Sequence, residues 1–304
     1  MPVNHGGRPR MSERVLLAGC GDLGVRVARR LLARGDQVWA LRRQPPPAED
    51  GGLRWIAADL TQPATLAGLP DGLTQVVYLP APGAHDPARY REIFVDGLRH
   101  LRDALDTAAL RRTLFVSSSA VYGEHDGQWV DEHTPPGPLG FNGRSLLEAE
   151  RSLDAWPGQA VVLRLAGLYG PGRLQLLERL RAGQARAPVD PPHWANRIHI
   201  DDAAAAIAHL LRLPAPEKLY LGCDDTTLPL HELYAALATL AGAPPPGEGP
   251  APAQVGSKRL CNARLRASGL QLQWPDSRAG YAALLDGKAT LQATIHTTTK
   301  RSIP

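Results

Sequence analysis

Val15-Leu16-Leu17-Ala18-Gly19-Cys20-Gly21-Asp22-Leu23-Gly24 is the stretch on which the fold turns. The apolar run Val15 to Ala18 predicts a short buried strand, and the glycines end it. A helix follows: Leu23, Val27 and Leu31 recur every four residues on one face, Ala28 and Leu32 lie beside them, and Gly35 is placed to stop it. Each glycine has a use in such a turn. Gly19 permits the tight turn, Gly21 lets the backbone approach a pyrophosphate, and Gly24 lets the helix pack closely on the sheet. The helix N-terminus at Asp22 and Leu23 is then aimed at phosphates. GxGxxG alone is a weak signal, but between a strand and a helix it predicts a dinucleotide site. Cys20 reads as a small residue fitting the turn, with a redox thiol as the alternative.

Working outward, strands are predicted at Gln37 to Leu41, Leu53 to Ala57, Gln75 to Leu79, Thr113 to Ser117 and Ala160 to Leu165. Strands alternating with helices imply an α/β fold, a Rossmann-type doubly wound parallel sheet covered on both faces. Asp86-Pro87 reads as a helix cap with proline at the first position, and Tyr90, Phe94, Leu98, Leu101 and Leu105 continue an apolar stripe. Further helices are predicted over Gly143 to Trp156, Asp201 to Leu211 and Leu230 to Ala241. Residues 1–10, polar and without periodicity, read as a disordered extension. Residues 11–170 are expected to form the dinucleotide-binding domain. Residues 171–304, broken by Pro188 to Pro192 and Pro244 to Pro252, read as a smaller substrate lobe, with part of 197–222 returning to the main sheet.

Composition narrows the classes. With 304 residues, 43% hydrophobic and 21% charged, the chain can build a substantial core. Its net charge of +4 is spread along the sequence, which gives no platform for nucleic acid. No apolar run reaches membrane length and no signal peptide precedes Met11, so a cytoplasmic protein without a membrane partner is expected. Cys20, Cys223 and Cys261 form no CxxC or Cys/His cluster, and no metal site is expected. Only four residues are lysine, the first at Lys218.

Cofactor choice is read at the end of the second strand, where an acidic residue would accept from the ribose hydroxyls of NAD. Arg42 stands there, followed by Arg43. A guanidinium pairs with a 2′-phosphate and offers a free hydroxyl no acceptor, which favours NADP over NAD. Two solvated arginines are the alternative.

From Arg14 to Asp286 the chain resembles the extended short-chain dehydrogenase/reductases, the NAD(P)-dependent epimerase/dehydratases of nucleotide sugars. The likeness rests on Gly19 to Gly24, Ala58-Asp59-Leu60, Val76-Val77-Tyr78-Leu79 with Pro80 next, Phe115 to Gly123, Arg164 to Gly172 and Asn196 to Asp202. It implies cofactor contacts at Asp59, Leu60, Leu79 and Pro80, a small-molecule substrate of nucleotide-sugar type, and a homodimer through the helices at Pro87 to Ala108 and Gly143 to Ala155. Ser118 matches the family's catalytic serine, and Asn142, Tyr169 and His199 fall at substrate-cleft positions.

The departures are chemical. The family carries a Tyr-x-x-x-Lys pair in which the lysine lowers the phenol pKa and the phenol exchanges a proton with substrate. Asn142 stands at the tyrosine and Leu146 at the lysine, so the resemblance is to the atypical branch. Candidate replacements are Tyr122, the loop residues Glu124, His125, Asp131 and His133, and Arg144. Ser118 either orients a substrate oxygen or caps local backbone. The chain is expected to be an NAD(P)-binding oxidoreductase or epimerase lacking the usual pair; the alternative is a non-catalytic NADP-binding sensor or scaffold.

Overall fold

A computed structural model describes residues 12–47 and 51–287; the extension expected over 1–10 lies outside the described residues. Contacts divide the chain into two compact units. One comprises the described residues up to Tyr122, Pro138–Arg164 and Ala204–Tyr220; the other comprises Gly123–Gly137, Leu165–Ala203 and the described residues from Leu221 onward.

Seven strands make the main sheet: β1 (Arg14–Ala18), β2 (Gln37–Arg42), β3 (Arg54–Ala57), β4 (Gln75–Tyr78), β5 (Arg112–Ser118), β6 (Gln159–Leu165) and β7 (Leu219–Gly222). Their order is β7-β6-β5-β4-β1-β2-β3. The ladders joining β1 to β2 and β4, β2 to β3, and β4 to β5 are parallel. Strand order therefore reverses at β1, the place where doubly wound sheets bind ligands. Val15, Leu16, Leu17 and Ala18 have no exposed surface. Each such leucine contributes on the order of 2 kcal/mol through burial, which is why a continuous apolar run ends up in the centre of the sheet.

The α-helices include α1 (Asp22–Leu32), α2 (Pro87–Arg91), α3 (Gly97–Ala104), α4 (Phe141–Ser152), α5 (Gln175–Arg181), α6 (Ile200–Leu210), α7 (Leu230–Ala241) and α8 (Ala263–Ala267). One expectation is corrected here. The continuous helix from Pro87 is interrupted by a π-helical turn over Glu92–Asp96. The buried Tyr78 hydroxyl donates to the Ile93 carbonyl, and a Cβ at Gly97 would stand 2.8 Å from that same hydroxyl. An inserted phenol of this kind diverts the helical ladder, a recognised cause of a π-bulge.

The second unit has its own core of Tyr169, Leu177, Leu180, Leu233, Leu237 and Tyr281. Here Gly167–Tyr169 pairs in parallel with Arg197–His199. Gly123–Gly137 also belongs to this unit, on the far side of the boundary expected at residue 170. Trp129–Val130 runs in parallel with Arg259–Leu260, and the Glu132 carboxylate accepts from the Leu221 N–H at 3.0 Å. Long-range pairing, invisible in local periodicity, draws the segment across.

Candidate cofactor site

The turn after β1 is held from both neighbouring strands. The N–H groups of Gly19 and Cys20 donate to the Leu41 carbonyl at 3.0 and 2.9 Å. Gly19 has φ +84°, and a Cβ there would collide with the Pro80 backbone. Only glycine fits both demands. At Gly24 a Cβ would lie 2.7 Å from Cys20 Sγ and 3.4 Å from Leu79 Cδ1, so this glycine sets how closely α1 packs. Gly21 differs: no atom lies within 4 Å of where its Cβ would be. It caps α1 without a side-chain hydrogen bond, leaving the helix N-terminus uncovered for an anion. Burial, against the nearby Arg42 charge, pushes the Cys20 thiol up to about 12, which fits the small-residue role and not a redox one.

Beside this turn is a cavity of about 360 Å³. Of the residues expected to hold a cofactor, Gly19, Gly21, Arg42, Arg43, Asp59, Leu60 and Pro80 line it. Asp22, Leu23, Gly24 and Leu79 do not; Asp22 instead pairs with Arg26 at 2.9 Å, and Gly24 and Leu79 serve the packing of α1. Arg42 and Arg43 are exposed. The Arg42 guanidinium lies 5.9 Å from the Trp55 ring centre, and neither arginine has a hydrogen-bonded or ion-paired partner among the described residues. Asp59 accepts from the Thr61 N–H at 3.0 Å and its hydroxyl at 2.9 Å. Burial works to raise its pKa, but these bonds and the charges of Arg43 and Arg89 carry it below the usual carboxylate value, so Asp59 is ionised.

Several lining residues escaped the sequence reading, among them Arg89 and Ile93. Arg89 is the third residue of α2, whose Asp86-Pro87 start was legible; Asp86 Oδ1 accepts from the Arg89 N–H at 2.9 Å. Ile93 belongs to the π-helical turn, which periodicity does not reveal. Together the uncovered Gly21 position, the open helix N-terminus and the guanidinium groups fit a phosphate-bearing dinucleotide.

The serine strand and α4 meet closely, because a Cβ at Gly143 would strike the Ala120 carbonyl. Ser118 Oγ accepts from the Ala120 N–H at 3.2 Å and so caps a short 3₁₀ turn, the local role allowed for it above. Asn142 is half-buried, and its Oδ1 has no partner. Leu146 is buried, so the lysine position is filled by core packing. Tyr122 is 1% exposed, with the Arg164 guanidinium 4.8 Å from its ring centre. Its ring is therefore enclosed by the packing around the end of β5. Arg144 is exposed and donates to the Leu139 carbonyl at 2.8 Å.

In the second unit Tyr169 and His199 are interior residues, not open cleft lining. Tyr169 stacks on Tyr281 at 4.4 Å between ring centres, and His199 meets it edge-on at 5.1 Å. The Tyr169 hydroxyl is buried without a hydrogen-bond partner among the described residues. Among the loop candidates, Glu124 accepts from the N–H groups of His125, Asp126 and Ser257, which hold its pKa low against the opposing effect of burial. Asp131 caps the His133 and Thr134 N–H groups, and His133 Nε2 is 2.9 Å from Arg264 Nη2. These acids are spent on backbone.

A larger cavity of about 730 Å³, lined by Glu150, Arg151, Asp154, Trp156, Arg164 and Lys218 among others, contains none of the residues of the Gly19–Gly24 turn.

Residues 15–222 match the NAD dependent epimerase/dehydratase family, and the chain belongs to that family. It is 32% identical over 283 residues to Protein YeeZ of Escherichia coli K12, covering 87% of this chain and 97% of that one. Among solved structures, a candidate NAD-dependent epimerase/dehydratase of Methylobacillus flagellatus is 42% identical, with a TM-score of 0.79 over 92% of this chain and all of that one. The Thermus thermophilus UDP-glucose 4-epimerase in complex with NAD shares the fold at 23% identity, with a TM-score of 0.73, covering 90% and 98% of the two chains. No helix among the described residues is long and apolar enough to cross a membrane.

Proposed function

We propose that the chain binds NADP in the cavity beside the Gly19–Gly24 turn and uses it in oxidoreductase or epimerase chemistry on a small molecule of nucleotide-sugar type. The observation that carries this reading is the pair Arg42 and Arg43, without a hydrogen-bonded or ion-paired partner among the described residues and lining the same cavity as Gly19 and Gly21. Gly21 and the α1 N-terminus would take the pyrophosphate, and the two arginines the 2′-phosphate. The nicotinamide, when bound, supplies hydride transfer. This chain's own part is to position: the Ser118 hydroxyl, half-buried at the end of β5, can still donate to a substrate oxygen while accepting from Ala120. Asn142, with an unpartnered Oδ1, is the other group offered by this helix start. A cytoplasmic homodimer, pairing through α2, α3 and α4, completes the reading.

A second reading is favoured by Leu146 and Tyr122. With the lysine position filled by a buried leucine and the nearby phenol enclosed, the chain would bind NADP as a sensor or scaffold without turnover. Calorimetry with NADPH, followed by a hydride-transfer screen over nucleotide sugars and simple carbonyls, separates the two. Turnover abolished in Ser118→Ala supports the enzyme; saturable binding with no turnover across the panel supports the sensor; absence of binding defeats both.

A further inference from the structure

We propose that Arg89 is a third cofactor-holding cation, which grips the pyrophosphate of the dinucleotide from the β4 side of the cavity. This rests on the dinucleotide reading and adds to it a residue that lies outside the glycine motif and the end of β2.

The topology supplies the first step. β1 is flanked by β2 on one side and β4 on the other. Arg42 and Arg43 leave the carboxyl end of β2, whereas Arg89 belongs to the helix that follows β4, and all three line one cavity. A ligand laid over the Gly19–Gly21 turn therefore meets guanidinium groups from both flanks. Gly19 packs directly on Pro80, so the phosphate-cradling turn rests on the same chain segment that leads into α2. The ribose end belongs by fold geometry to the end of β2, where Arg42 and Arg43 stand, and the pyrophosphate to the glycine turn. That division leaves the pyrophosphate as the anion on Arg89's side.

The side chain is also prepared for such a contact. Arg89 Nε donates to the Pro82 carbonyl at 3.2 Å and Nη1 to Glu92 Oε2 at 3.1 Å. Nη2 has no hydrogen-bond partner among the described residues. Two anchored nitrogens fix the plane of the fork and leave one edge to donate, so little rotamer freedom remains to be lost on binding. The backbone is held as well, since Asp86 caps the Arg89 N–H. Asp59 is the acidic residue of the lining and is ionised; against it the three arginines leave the wall net cationic, as a pyrophosphate with an added 2′-phosphate requires.

Calorimetric titration of the wild-type chain, Arg89→Gln and Arg42→Gln with NADPH, NADH and ADP-ribose tests the assignment. All three ligands carry the pyrophosphate, and only NADPH carries the 2′-phosphate. Loss of one charge-assisted hydrogen bond predicts that Arg89→Gln weakens all three by about 10- to 100-fold, whereas Arg42→Gln weakens NADPH alone. Unchanged affinities in Arg89→Gln, or a loss confined to NADPH, would overturn the proposal. If Arg89→Gln lacks the wild-type circular dichroism spectrum, Arg89→Lys takes its place: intermediate weakening for all three ligands supports the clamp, and wild-type affinity overturns it. Failure of the wild-type chain to bind any of the three sinks the dinucleotide reading itself, a distinct result.

Discussion

Arg164 forks onto Glu150, with Nη2 2.6 Å from Oε2 and Nε 3.0 Å from Oε1; the two side chains are only 6% and 7% exposed. Ser117 Oγ donates to the same carboxylate at 2.5 Å, and Tyr122 lies against the guanidinium, so β5, α4 and β6 are tied at one point. A buried pair of this kind adds little over an apolar replacement, but half of it is costly. Glu150→Gln is therefore expected to destabilise the chain by about 3–5 kcal/mol in urea unfolding, because Arg164 is left charged and uncompensated. Glu150→Leu with Arg164→Met should recover most of that loss. A double variant no more stable than the single one would refute this account.

Gly21 and Gly24 of the turn are expected to separate binding from folding. At Gly21 an added Cβ meets open space, so Gly21→Ala should cost no more than about 1 kcal/mol, the difference between glycine and alanine at an N-cap. It should nonetheless abolish measurable NADPH binding, since the methyl occupies the approach of the pyrophosphate. Gly24→Ala drives a methyl into buried Cys20 and should cost about 1–3 kcal/mol. Thermal melts paired with fluorescence titration check both; Gly21→Ala that binds normally contradicts the cradle.

Arg42 carries the coenzyme preference in this reading. Arg42→Asp removes a cation and offers an acceptor to ribose hydroxyls, so NADPH affinity should fall at least tenfold while NADH affinity holds or rises. The ratio of the two dissociation constants is the measurement. An unaltered ratio would transfer the preference to some other residue.

Asp224 predicts a pH signature for the second unit. Burial raises its pKa from 3.8 to about 8, opposed by hydrogen bonds from Ser277 and Thr226 and aided by the nearby Asp276 charge. Its Oδ2 has no partner. The folded chain therefore holds a proton that the unfolded chain has already released, and the associated stability, full below about pH 4, declines as pH rises through 8. Lys258 acts in the opposite sense: burial lowers its pKa from 10.5 to about 8, and its destabilising effect is relieved as pH rises from 8 to 10.5. Asp224→Asn keeps the shape and cannot titrate. Its unfolding free energy between pH 4 and 8 should be flatter than that of the wild-type chain. Parallel profiles would rule out Asp224 as the source.

Local patterning carried far into the fold. The strands from β1 to β6 are legible because apolar runs bounded by glycine and proline encode burial residue by residue, and observed limits differ from expected ones by a residue or so. The π-helical turn over Glu92–Asp96 is not legible, because its cause is a phenol arriving from β4. The transfer of Gly123–Gly137 to the second unit has a similarly distant cause in the pairing of Trp129–Val130 with Arg259–Leu260.

By itself the amino-acid order determined the α/β class, the glycine turn and the absence of a Tyr-x-x-x-Lys pair, since each is a statement about residue types at fixed spacing. Tertiary structure alone decided which of those residues face the cavity. It added Arg89 from the far flank of β1, and it enclosed Tyr122, Tyr169 and His199, whose matched motif positions carried no information about burial. Spacing along a chain records covalent distance, whereas exposure depends on what the rest of the chain brings alongside.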